Sequence, residues 1–151
     1  MLLTVTAPLA GTVTGLDAVP DAVFTGQMVG SGVAVEPPAG GPMQVVSPVG
    51  GTLVKLHPHA FVVLAPSGAG ILVHLGIDTV RLAGEGFVLH VDEGAQVAAG
   101  DPVVTFDPAA VRARGLSAVC PVVVLDSPPD SVDAPEPGRT VAAGDPLFTW
   151  G

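Results

Sequence analysis

The chain has no tyrosine, one tryptophan, one cysteine and only five lysines and arginines among its 151 residues. Each scarcity closes off something. A single cysteine, Cys120, cannot form an internal disulfide, which fits a reducing cytoplasm. Placed before Pro121 and the run Val122 to Leu125, it reads as a buried structural thiol and not as a nucleophile. Five basic residues against fourteen acidic ones leave a net charge of −9. That balance argues against nucleic acid or an anionic membrane as partner and suits a soluble protein that meets a partner presenting a basic face. No Walker-type phosphate loop is present, no Gly-x-Gly-x-x-Gly leads from a strand into a helix, and no serine sits in a nucleophile elbow. Gly68-Ala-Gly70 and Gly84-Glu-Gly86 read as turns. The start, Met-Leu-Leu-Thr-Val-Thr, has neither a basic n-region nor a long apolar h-region, so no signal peptide and no membrane anchor are expected there. The uncharged run Leu56 to Ile77 is broken by Pro58, Pro66, Gly68, Gly70 and three histidines, a poor membrane span. The expected location is the cytoplasm.

What the chain has in abundance is small and β-branched. Twenty glycines and sixteen prolines accompany a hydrophobic content of 48%, which points to a folded, turn-rich protein with a core of Val, Leu, Ala and Ile. The length suits one domain, residues 1–151, with room for a substantial core. Short apolar runs between Gly, Pro and Asp clusters predict strands at Gly11–Leu16, Gly32–Glu36, Gln44–Ser47, Gly51–Leu56, Ala60–Leu64, Ile71–Leu75, Phe87–Val91, Val103–Phe106, Pro121–Leu125 and Pro146–Trp150. One helix is expected over Pro108 to Arg114, capped by Asp107, and one short turn within Asp17 to Phe24.

Two internal echoes imply duplication. Ala7-Pro-Leu-Ala-Gly-Thr-Val-Thr-Gly-Leu16 is similar to Ser47-Pro-Val-Gly-Gly-Thr-Leu-Val-Lys-Leu56, and Val97-Ala-Ala-Gly-Asp-Pro102 recurs as Val141-Ala-Ala-Gly-Asp-Pro146. A strand–turn–strand unit cannot bury its apolar face alone, so copies packed together predict an all-β, antiparallel β-sandwich or flattened barrel with at most one or two short helices. Neither copy carries the lysine of a biotinyl or lipoyl hairpin. Ser127 to Gly138, rich in proline and acidic residues, reads as a solvated loop.

Chemistry is left to four histidines, 57, 59, 74 and 90. His74 lies in the apolar run Ile71 to Leu75 and His59 heads the run Ala60 to Leu64, with Ala-Pro-Ser-Gly-Ala-Gly turning between them. A hairpin centred on Pro66 and Ser67 sets 59 opposite 74 and 61 opposite 72, so two imidazoles about 5 Å apart share a face with Phe61 and Leu72. An imidazole is half-charged near pH 6.5, so one ring can attack while its neighbour donates a hydrogen bond. Two uses fit: a phosphoryl acceptor with a supporting ring, or a zinc site. His57 or Asp78 could complete a metal set, although the His57-Pro58 step leaves the direction of His57 open. His90 reads as a surface strand residue. An apolar surround of Leu72 and Phe61 would exclude water and dock a macromolecule; as plain core, it would instead bury both histidines.

The segment Val73-His-Leu-Gly-Ile-Asp-Thr-Val80, followed by Leu82-Ala-Gly-Glu-Gly-Phe87, resembles the active-site signature of enzyme IIA, glucose class, of the bacterial phosphoenolpyruvate-dependent sugar phosphotransferase system. His59-Ala-Phe61, Val19-Pro-Asp-Ala-Val-Phe24, Met28-Val-Gly-Ser-Gly-Val-Ala-Val35 and Ala7-Pro-Leu-Ala-Gly resemble further motifs of that family, in order and spacing. The resemblance implies a β-sandwich of duplicated-hybrid type and a phosphoryl relay. The histidine phosphocarrier protein donates, and a cysteine of a permease IIB domain accepts. It places the phosphorylated histidine at His74, the supporting one at His59, and an apolar docking patch at Val23, Phe24, Met28, Val29, Leu72 and Val80 with Asp78 at its rim. No cofactor is required; zinc, where bound, would be held by His59, His74 and a carboxylate of a partner protein. Unphosphorylated relatives can also hold regulatory targets. Two positions depart from the pattern: Leu72 stands where a large aromatic is frequent, and His57 where a hydrogen-bonding threonine is expected. The rivals from other classes are a zinc hydrolase on a similar scaffold and a purely regulatory binding module.

Overall fold

In the computed structural model, residues 2–151 are described. Thirteen strands run in the order β1 (Leu3–Thr6), β2 (Gly11–Thr14), β3 (Gly30–Glu36), β4 (Met43–Val46), β5 (Gly51–His57), β6 (Ala60–Leu64), β7 (Gly70–His74), β8 (Phe87–Leu89), β9 (Gln96–Val97), β10 (Pro102–Phe106), β11 (Cys120–Leu125), β12 (Thr140–Val141) and β13 (Pro146–Trp150). Eight form one curled antiparallel sheet in the order β12-β2-β3-β11-β7-β6-β5-β9; β4-β10-β8 and β1-β13 close over it. The all-β duplicated fold expected from the sequence is the fold observed. The expectation missed β1, β9 and β12, which have four, two and two residues. Each is held by a partner distant in sequence or by the duplicated turns, and so lacks a run long enough to read.

The duplication is exact enough to see bond by bond. In both Ala-Ala-Gly-Asp-Pro turns the aspartate accepts from the backbone three residues earlier, Asp101 from Ala98 and Asp145 from Ala142, each at 2.8 Å. Gly100 and Gly144 take φ of 92° and 90°, open to glycine without strain. The strands before them, β9 and β12, pair with β5 and β2 at Gly51 and Gly11, so the two edges of the large sheet are copies of one unit.

Alternation along the strands sets two cores. Phe61, Val63, Ile71, Val73, Val122 and Val124 point into the main core with Leu53, Phe106 and Leu147. On the opposite face of the sheet Ala34, Val119 and Val123 form a second, smaller cluster with Leu16, Val19, Phe24 and Ile77. The segment that covers this face contains a 3-10 turn, Leu16–Ala18, and a single-turn helix α1, Ala22–Thr25. Asp21 caps α1, accepting from the Val23 N–H at 2.9 Å. The expected second helix is α2, Pro108–Ala113, with Asp107 accepting from the Ala110 N–H at 3.2 Å.

The predicted hairpin register is off by one residue. Ala60, not His59, stands opposite His74, and Phe61 faces Val73, not Leu72. The cause is the turn. Gly68 donates to the Ala65 carbonyl and then takes φ of 94°, adding a residue to the loop in the manner of a three-residue hairpin. The slip sends Phe61 into the core and brings Val62 and Leu72 together on the outer face.

If the two aspartate turns are equivalent, Asp101→Ala and Asp145→Ala should each lower stability by about 1 kcal/mol and to a similar extent. Chemical denaturation of the two variants measures this.

Candidate functional site

His74 is the last residue of β7, on the outer face, at the margin of the second cluster. It is partly buried, neither enclosed in the core nor freely exposed, so the ring keeps access to solvent. The chain then turns sharply: Gly76 adopts φ of 74°, and Asp78 is left-handed at 60° before the 3-10 turn Thr79–Leu82. A side chain at 76 would meet the Thr79 methyl at 2.7 Å and the Ser117 carbonyl at 2.9 Å, so only glycine suits this bend. Thr79 fixes it from below, donating its hydroxyl proton to the Leu75 carbonyl at 2.7 Å. The bend turns the Gly76 carbonyl back onto the His74 ring, 2.6 Å from Nδ1. A carbonyl can only accept, so Nδ1 carries the proton and the lone pair of the neutral ring lies on Nε2.

His59 reaches this ring by a different route from the one expected. It is not opposite His74 on the ladder but in the two-residue turn Pro58-His59 between β5 and β6, where strand alternation does not apply. Its carbonyl accepts from the Leu75 N–H at 2.7 Å. The His59 and His74 ring centroids are 5.4 Å apart with planes at 72°. His57, exposed at the end of β5, lies against His59 at 5.7 Å and 25°. His90, by contrast, is exposed just after β8 and bonded to the Thr105 hydroxyl at 2.6 Å.

The residues expected to form a docking patch divide by burial. Val23 (41% exposed), Met28 (75%) and Val80 (64%) are open to solvent, as is Asp78, whereas Leu72 and Val29 are half-buried against the second cluster. Two of the named side chains are not on the surface. Phe61 is 1% exposed on the core face, a consequence of the register, and Phe24 is 5% exposed. Phe24 instead supports the site: its ring meets the His74 ring at 5.4 Å and 63°. Nothing in the spacing Val19 to Phe24 distinguishes a surface aromatic from one tucked under a histidine.

Burial pushes the His74 imidazole below its ordinary value; the Gly76 carbonyl and the Asp21 and Asp78 carboxylates pull it upward without cancelling that effect. His59 is lowered as well, first by burial and then by the neighbouring His74 and His57 rings. Both rings therefore favour the neutral form. Asp21 was invisible as a neighbour of His74 in the sequence, because its cap motif marks a helix start and not what the helix packs on. Among the described residues no group of three or more His, Cys, Asp or Glu side chains could hold a metal ion. Two imidazoles fall short of the three or four ligands of a self-contained zinc site. Burial pushes the Cys120 thiol up to about 12, which matches the structural role expected of it.

Residues 3–129 match the family described as phosphoenolpyruvate-dependent sugar phosphotransferase system, EIIA 1. The chain belongs to this family. It is 44% identical over 126 residues to the PTS system glucose-specific EIIA component of Bacillus cereus, spanning 82% of this chain and 74% of that protein. It is 43% identical over 128 residues to the glucose-specific EIIBCA component of Corynebacterium glutamicum, 83% of this chain but 18% of that longer protein. Among solved structures, glucose permease IIA from Mycoplasma capricolum superposes with a TM-score of 0.88 at 36% identity, covering 99% of this chain and 96% of that one. As an EIIA component of a sugar phosphotransferase system the chain is a phosphoryl carrier. Among the described residues of this EIIA chain no helix is long and apolar enough to cross a membrane.

The downward shifts carry a sign. Because the unfolded chain takes up these protons first, near pH 6.5, the stability associated with neutral His74 and His59 is present above that value and is lost as pH falls through and below it. Histidine NMR titration should give midpoints for both rings below about 6.5, and the denaturation midpoint should drop on acidification. Midpoints above that value would contradict burial as the dominant influence.

Proposed function

We propose that His74 accepts the phosphoryl group from the histidine phosphocarrier protein and passes it to a cysteine of the IIB domain of a sugar permease, with His59 as the supporting residue. The observation that carries this reading is the Nδ1–H of His74 tied to the Gly76 carbonyl at 2.6 Å, which leaves Nε2 as the nucleophile. In the first step the Nε2 lone pair attacks phosphorus in line. The phosphorus–nitrogen bond to the donor histidine breaks and its electron pair returns to the donor ring. In the second step the permease thiolate attacks the same phosphorus, the bond to Nε2 breaks and neutral His74 is regenerated. Two nucleophiles exchanging one phosphoryl group need positioning and charge stabilisation, not nucleotide. His59, at 5.4 Å between centroids, supplies an N–H toward the phosphoryl oxygens.

Val23, Met28 and Val80 form the exposed apolar margin on which both partners would dock, with Val29 and Leu72 beneath it and Asp78 at the rim facing basic residues of the partner. The net charge of −9 supports partners with basic faces over nucleic acid. Glucose is the proposed sugar of the system, since the relatives in B. cereus and C. glutamicum bear glucose-specific names. The IIB domain as acceptor is supported by the C. glutamicum relative, whose name joins A with B and C in one protein, and the carrier is proposed to act in the cytoplasm. The same margin in the unphosphorylated form suits regulatory target proteins. His59 and His74 would hold a zinc ion only together with a carboxylate from such a bound partner, and the ion would supply a bridge between the two chains.

His74→Ala should abolish labelling in a mixture of phosphoenolpyruvate, enzyme I and the phosphocarrier; normal labelling would sink the assignment. His59→Gln should still be labelled but transfer to the IIB domain about 100-fold more slowly, because the amide keeps an N–H but neither places it where the ring does nor takes up a proton as charge develops. Rapid-quench kinetics read the second outcome, and unimpaired transfer would remove His59 from the mechanism.

A further inference from the structure

Three imidazoles cluster at the Pro58 turn, and the transfer scheme uses only two. His57 is the last residue of β5, pairs with Ala60 and is exposed. Its ring lies nearly parallel to that of His59, with centroids 5.7 Å apart and planes 25° apart, within the range of offset aromatic stacks. The backbone of His59 is clamped by the Leu75 N–H, yet the ring has no such hold. Among the described residues the histidine rings that hydrogen-bond are those of His74 and His90. A histidine that must present one nitrogen at a set angle is ordinarily held through the other, by a carbonyl or carboxylate. His74 has that device and His59 lacks it. What His59 has instead is a flat ring stacked on it, delivered by a turn whose Pro58 restricts the intervening backbone.

We propose that His57 is a positioning residue for phosphoryl transfer: the face of its ring takes the place of the missing hydrogen bond and holds His59 at the angle from which it meets the phosphoryl group. The proposal rests on the supporting role assigned to His59 above. It requires a flat ring at position 57, not an imidazole as such. It also predicts little cost to folding when the ring is removed, since His57 is exposed and belongs to neither apolar cluster.

The test compares His57→Ala, which removes the ring, with His57→Phe, which keeps a stacking face without ring nitrogens. In H57A, kcat for transfer from the phosphorylated carrier to the IIB domain should fall about three- to tenfold, a factor that corresponds to losing one stacked pair, while KM stays near its original value. H57F should recover most of the loss. The share of the His59 ring-current shift that comes from the ring at position 57 should be lost in H57A and persist in H57F, the His74 ring contributing in both. An H57A protein with unchanged kcat and unchanged His59 shifts overturns the proposal, as does an H57F protein impaired to the same degree as H57A. The NMR comparison follows the face at position 57 without any phosphoryl chemistry. A failure of phosphoryl acceptance at His74 is therefore told apart from a failure of the stack.

Discussion

The central strand β11 buries both of its faces, and much of the molecule is arranged to make that favourable. Val122 and Val124 enter the main core, while Val123 belongs to the smaller cluster on the opposite face. A sheet apolar on both faces needs a cover on each, because exposed valine surface costs roughly 25 cal/mol per Å² relative to burial. One cover is the rest of the barrel. The other is the stretch containing the 3-10 turn and α1, which brings Leu16, Val19 and Phe24 down onto β3 and β11. The second cover is short. Where it stops, at the end of β7, the outer face opens and His74 stands at the border between packed side chains and solvent.

That border explains the chemical character of the site. A histidine in the cluster would be an inert core residue, and one far from it would titrate freely. At the margin, burial lowers the proton affinity of His74, yet the residue keeps a route to solvent. The backbone does the remaining work. Gly76 can take a positive φ, so its carbonyl turns back to Nδ1 and fixes the tautomer; Thr79 and Ser117 crowd the same bend and keep it from relaxing. No charged side chain is needed to orient the ring. Phe24 packs against it, and the apolar residues beyond, Val23, Met28 and Val80, remain exposed around the opening.

The contact between His59 and His74 shows how a correct outcome can rest on different geometry from the one local patterning supplies. Period-two alternation and a symmetric turn set the two residues opposite each other, which required a loop centred between Pro66 and Ser67. Gly68 at positive φ lengthens the loop by one residue and shifts the ladder, which would have separated the rings had His59 stayed in a strand. It does not. The Pro58-His59 turn releases it from alternation, and the rings meet as diagonal neighbours. Phe61, two residues on and firmly in the strand, follows the true register into the core.

By itself the sequence determined the all-β class, the duplicated turns, the α2 cap at Asp107 and the identity of the histidines available for chemistry. These are local properties, carried by residue type, alternation and short-range spacing. It also carried the family, through the order of several motifs. Tertiary structure alone decided which face each side chain takes and how deep it lies. Phe24 and Val23 are adjacent in sequence, but only the fold of residues 16–29 over β3 and β11 buries the first and leaves the second in solvent. The strands β1, β9 and β12 exist because distant partners pair with them. The register of β6 on β7 hung on one backbone torsion at Gly68, which glycine permits but does not impose, since it visits both signs of φ with similar ease.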